Sequence, residues 1–191
     1  MRISITIFLF LILLVIQPAR TQNILITYYS ETEYTALMAK NVAEGVKKSD
    51  PAELRLLTIE KTTVEDLLWA DAIIVGGPVH SGNIASPVLE FIRSWPFEGK
   101  ELKDKIGAAF VTAGGISAGE ELAQLNILHA MMIYNMIIVG GPTWDQPFGA
   151  SAVTGEEPFA SEDGTVKIDP IFLKKGKALG ERVANIAKRM M

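Results

Sequence analysis

Asn23-Ile-Leu-Ile-Thr-Tyr-Tyr-Ser-Glu-Thr-Glu-Tyr-Thr-Ala-Leu-Met38 is a short apolar run, then a hydroxyl-rich turn, then the opening of a helical pattern. It reads as strand, loop and helix. In an open parallel sheet such a loop lies at the carboxyl edge of its strand, where the free N–H groups of the following helix attract an anion such as a phosphate.

The chain downstream repeats the alternation. Thr35 to Lys48 sets Met38, Val42 and Val46 four apart, with Lys40, Glu44 and Lys47 opposite, the pattern of an amphipathic helix. Glu53 to Ile59 alternates as a strand, and Thr63 to Trp69 is a short helix. Ala72 to Val75 is an unbroken apolar run, as in a strand buried on both faces, and it ends in Gly76-Gly77-Pro78. Helix is expected over Ser86 to Trp95, strand over Lys105 to Val111, helix over Glu120 to Tyr134 and strand over Met136 to Val139. Pro142 to Val166 has no periodicity and reads as one long loop before a closing helix from Asp169 to Met191. Strands alternating with helices mean an α/β fold, a doubly wound parallel sheet of five strands in three layers. Its ligands belong beyond the carboxyl ends of the strands.

The 191 residues suit one domain with a sizeable core. Lys and Arg number 18 against 22 Asp and Glu, and beyond residue 22 the balance is 16 against 22, a formal charge of −6. An acidic body without a Lys/Arg stripe predicts no nucleic-acid partner. With no cysteine, disulfides, thiolate catalysis and thiolate metal sites are excluded. There is no Walker loop, no Gly-x-Gly-x-x-Gly after the first strand and no His/Asp/Glu spacing for a metal.

Ahead of the first strand stand Met1-Arg2, the apolar run Ile3 to Ile16 and Gln17-Pro18-Ala19-Arg20-Thr21. The run of 14 is short of the roughly 20 residues that span a bilayer. Residues 1–22 therefore read as an export signal, with an uncleaved membrane anchor through residues 3–16 as the alternative. Either places the protein outside the cytoplasm or on a membrane, and residues 23–191 form the folded domain.

Three loops share the carboxyl edge. The first, Ser30, Glu31, Thr32, Glu33, Tyr34 and Thr35, offers hydroxyls and helix amides to a phosphate, although Ser30 with Glu33 also fits a capping box that needs no ligand. The second, Gly76 to Pro87, lets backbone approach a flat ligand closely, with His80 and Asn83 supplying polar edges. The third, Thr112 to Gly119, is as rich in glycine. His129 reads as a helix surface residue, and Trp95 and Trp144 as core or rim aromatics.

Tyr28-Tyr29-Ser30, Gly76 to Asn83, Phe110 to Glu120 and Pro147 to Gly155, in this order, resemble the flavodoxin-like superfamily, and within it the WrbA-type NAD(P)H:quinone oxidoreductases. The resemblance runs from Asn23 to about Met190. It implies a strand order of 2-1-3-4-5 and FMN as cofactor. The phosphate would sit on Ser30 to Thr35 and the isoalloxazine ring against Pro78, Val79, His80, Ser81, Gly82 and Asn83. Further flavin contacts would come from Thr112, Ala113, Gly114, Gly115, Ile116 and Ser117. It also implies hydride from NAD(P)H, a quinone or similar acceptor, no catalytic side chain, and room for a homo-oligomer. This chain departs from the pattern at Glu33, where such loops usually carry Gly, and near Met132-Ile133-Tyr134, where the quinone reductases carry a histidine pair. The insertion that they have before the Pro147–Gly155 segment is missing here. Export conflicts with a cytosolic nicotinamide donor, so an exported or tethered one-electron carrier is the alternative. A flavin-free binding module, suggested by Glu31 and Glu33, is the third reading.

Overall fold

The structure, a computed structural model, describes residues 21–49, 52–161 and 163–190. The run Ile3–Ile16, with the export or anchor reading attached to it, lies outside the described residues. Five parallel strand positions carry the sheet, with β1 (Gln22–Tyr28) between β2 (Ala52–Thr58) and β3 (Ala72–His80). Beyond β3 comes β5 (Ile106–Ala113), and the outer position is shared by β6 (Ile137–Ile138) and β7 (Ala150–Val153). This is the expected order, 2-1-3-4-5 counted by strand position. A two-residue β4 (Asn83–Ile84) folds back antiparallel on the end of β3.

Alternation along the strands sorts the core into two layers. Ile24, Ile26, Ile74, Ala108 and Phe110 face α1 (Tyr34–Val46) and α5 (Pro170–Met190). Leu25, Ile73, Val75, Ala109 and Val111 face the other side, with α2 (Val64–Trp69), α3 (Ser86–Arg93) and α4 (Glu120–Ile133). Successive side chains of a strand point to opposite faces, so an unbroken apolar run is what a strand covered on both sides requires. Gly76 is demanded by packing, since a Cβ there would run into the Phe110 ring across the β3–β5 pair.

Two elements differ from the sequence reading. The run Gly76-Gly77-Pro78-Val79-His80 is strand rather than loop: its first three residues continue the ladder to β5 as far as Pro78 opposite Thr112. Val79 and His80 then pair with β4 through a turn at Ser81 and Gly82, whose φ of 50° and 77° is the two-residue geometry that suits strand twist. The stretch Pro142–Val166 is not one loop either. Ala150 to Val153 pairs in parallel with Phe110 to Ala113, so the outer strand position is occupied twice with an insertion between.

Candidate functional site

Parallel pairing brings the carboxyl ends of three neighbouring strands to one edge: Tyr28 lies opposite Gly76, Gly76 opposite Phe110, and Pro78 opposite Thr112. The loops that leave these ends are therefore adjacent. Thr35 and Thr112, both buried, join their hydroxyls at 2.8 Å. Glu31 reaches the second loop, with its carboxylate 3.5 Å from His80 Nε2. Asn126 of α4 donates to Asn83 Oδ1 at 2.8 Å.

In the first loop, α1 begins at Tyr34, with Glu33 as its cap residue at φ 65° and no side-chain cap bond. The Ser30/Glu33 capping box is not formed; Ser30 Oγ instead accepts from the Ala36 N–H at 3.2 Å. Among the described residues the N–H groups of Glu31, Thr32, Glu33 and Thr35 donate to no protein acceptor. Glu31 is turned to its neighbours, accepting from Tyr29 Oη at 2.6 Å. That bond raises the Tyr29 phenol above its ordinary pKa, with slight burial and the charges of Glu31 and Glu60 adding to it.

In the second loop Pro78 and Val79 are half-buried and His80, Ser81 and Asn83 exposed, and a Cβ on Gly82 would meet nothing within 4 Å. In the third, Thr112 and Ala113 belong to β5 and are buried, whereas Gly114, Ile116 and Ser117 are exposed and the space beside Gly114 is open. Ile116 shows 56% of its surface to solvent. The Thr35 and Thr112 side chains and Ala113 are thus buried behind this edge, the Thr35 N–H remaining unengaged, while Glu31, Thr32, Glu33, His80, Ser81, Asn83, Gly114, Ile116 and Ser117 are exposed along it.

One participant escaped the sequence reading. Glu156 accepts from the Ile116 N–H at 2.6 Å, and Thr154 and Gly155 hydrogen-bond the carbonyls of Ala113 and Gly114. The segment after β7 therefore lies along the third loop. Only the family-like Pro147–Gly155 segment pointed there; nothing local singled out Glu156.

A flavin mononucleotide fits this chemistry. The unengaged N–H groups of Glu31 to Glu33 and of Thr35, at the head of α1, suit its phosphate, and glycine-lined backbone with open space at Gly82 and Gly114 suits a flat ring. Among the described residues no cluster of three or more His, Asp or Glu could hold a metal.

The family model for NADPH-dependent FMN reductase matches residues 58–149. A flavodoxin of Clostridium saccharobutylicum is 32% identical over 172 residues, covering 88% of this chain and 99% of its own. An NAD(P)H dehydrogenase (quinone) of Azorhizobium caulinodans is 31% identical over 197 residues, covering 88% and 98%. The chain belongs to the flavodoxin-like family of FMN proteins. The fold agrees: a flavodoxin, WrbA-like protein from Agrobacterium tumefaciens superposes with a TM-score of 0.71 at 23% identity, covering 90% of this chain and all of that one. FMN is the cofactor of this flavodoxin-like family, and NAD(P)H fits it as donor. Glu33 accounts for the glycine usual at its position, because the left-handed conformation it adopts costs an L side chain energy that glycine is spared.

Proposed function

We propose that this chain is an FMN-dependent oxidoreductase that takes hydride from NAD(P)H and passes electrons to a quinone or a similar small acceptor. The observation that supports it most is the convergence of three loops on one sheet edge, with the N–H groups of Glu31, Thr32, Glu33 and Thr35 unengaged and the backbone open at Gly82 and Gly114. FMN held there supplies the two-electron chemistry. The protein's part is binding and orientation. The N–H groups of Glu31 to Glu33 and of Thr35 receive the phosphate, and Pro78 to Asn83 and Gly114 to Ser117 flank the ring. The buried Thr35–Thr112 pair locks the phosphate loop to β5. Exposed Ile116 offers an apolar surface for a planar acceptor.

A second reading, a one-electron carrier, is favoured by one observation: residues 30–35, 78–83 and 112–117 contain no Lys or Arg to meet the phosphates of a nicotinamide. The apolar run Ile3–Ile16 supports export or tethering in either case.

The test is a visible spectrum of protein purified with FMN, before and after anaerobic NADPH or NADH. A yellow protein bleached by nicotinamide supports the reductase, and return of the yellow colour on adding quinone, as reduced flavin passes its two electrons on, supports the acceptor. A flavin spectrum that nicotinamide leaves untouched selects the carrier. A colourless protein overturns both.

A further inference from the structure

The outward stripe of α5 is cationic on an otherwise acidic protein. Ile171, Lys174, Lys175, Ala178, Arg182 and Arg189 recur at helical spacing along one side of a 21-residue helix, roughly 30 Å long. Lys174, Arg182 and Arg189 are exposed and make no ion pair among the described residues. Lys175 is anchored to Asp145 at 3.0 Å, which seats the inserted loop between β6 and β7 beside the stripe. Two adjoining hollows of about 450 and 300 Å³, both bounded by Pro142 and Ala178, run between this loop and the helix. Ile171, which lines the second, is 55% exposed, and Trp144, between the lining residues Thr143 and Asp145, is 91% exposed.

An exposed tryptophan and isoleucine beside unpaired cations are the composition of a surface that settles at a lipid interface, apolar tips among the acyl chains and cations at the headgroups. A second observation chooses lipid over an acidic protein. The carboxyl end of α5 lies at the same sheet edge as the start of β1: Ala187 and Ile24 share a core layer, and Ala187 and Met190 border the hollow that includes Asp71, whose N–H bonds Asn23. The described chain begins at this edge, at Thr21, so the 20 residues that precede it in sequence, the apolar run Ile3–Ile16 among them, enter the fold at the end of α5 that carries Arg189 and half-exposed Met190. We propose that the face formed by Trp144 and the Lys174–Arg189 stripe docks on an anionic lipid surface. This holds whether or not the redox reading is correct.

The test is flotation of the full chain with phosphatidylcholine vesicles, with and without phosphatidylglycerol, for the parent, for K174E/R182E/R189E and for W144A, with thermal unfolding as the control of fold. The expected result is binding that requires phosphatidylglycerol, weakens with salt, falls about tenfold or more on charge reversal and falls a few fold in W144A. N-terminal sequencing of the floated protein separates the face from the tether, because a chain cleaved after Thr21 that still floats leaves this inference standing while the anchor reading falls. Equal binding by the triple variant and the parent overturns the proposal, since residues 1–20 would then do all the work. Binding of polyglutamate but not of vesicles assigns the face to an acidic protein and overturns it too.

Discussion

Glu33 holds φ 65° at the cap of α1 with no side-chain bond in return. Left-handed backbone costs an L residue about 1 kcal/mol or more. Glu33→Gly is therefore expected to raise stability by about 1 kcal/mol and to tighten FMN binding by removing a carboxylate from the phosphate loop, read by urea unfolding and flavin fluorescence quenching. The Thr35–Thr112 hydroxyl pair gives a paired prediction. Either Thr→Val alone strands a buried hydroxyl and should cost about 1–2 kcal/mol, while the double variant should cost less than the two together, a coupling that a double-mutant cycle measures. Gly76→Ala should cost about 1–3 kcal/mol, seen as a lower urea midpoint, because the Phe110 ring fills the space. These roles are unequally visible in sequence. Glu33 was conspicuous because the resembled family usually carries glycine there, whereas Thr112 was expected as a flavin contact through the resemblance, which does not tell that its hydroxyl turns inward to Thr35.

At the scale of elements, α2 shows how a six-residue helix persists. Thr63 caps it, Asp66 returns the bond to the Thr63 N–H at 2.9 Å, and Arg55 of β2 reaches Asp66 at 2.6 Å while lying over the Trp69 ring. Burial pushes the Asp66 carboxyl up, but the bonds from Thr63 and Arg55 outweigh it and leave the pKa below its ordinary value. A depressed folded pKa gives stability that is present above the unfolded value, about 3.9, and is lost as pH falls through the folded one. Unfolding free energy should therefore decline below about pH 4, and Asp66→Asn should flatten part of that decline while lowering stability near neutrality by about 1–2 kcal/mol. Element type was legible wherever periodicity ran long: α1, α4 and α5 begin and end within two residues of the pattern. The β3–β4 hairpin was not, because Gly76, Gly77 and Pro78 read locally as turn residues. Here glycine serves close packing, and proline stands near the strand end. Nor was β7, since Ala150-Ser-Ala-Val153 is too short and too small to announce a strand; what makes it one is the free edge of β5.

For the whole molecule, layer order followed from alternation alone, and the site's location followed from layer order, because parallel strands deliver their loops to one edge. What no local pattern could supply was contact between distant segments, such as Glu156 against Ile116 or Asp145 against Lys175. All the strands and helices described fall between Gln22 and Met190. Both core layers pack on the one sheet, so the protein is expected to unfold in a single cooperative transition, which agreement of calorimetric and van't Hoff enthalpies checks directly.

The doubled outer strand position has a further effect. A sheet edge is a row of unpaired donors and acceptors on which another molecule's strand can grow, and long, flat, apolar edges are where aggregation starts. Here that row is two residues long at Ile137–Ile138, breaks for the insertion and resumes for four residues at Ala150–Val153. Neither stretch at this edge is long enough for a stranger to zip onto, so the interruption guards this edge as the charged Glu53 and Arg55 guard the opposite one, the seven-residue β2; a variant with residues 139–149 trimmed to a continuous strand would be the more aggregation-prone form.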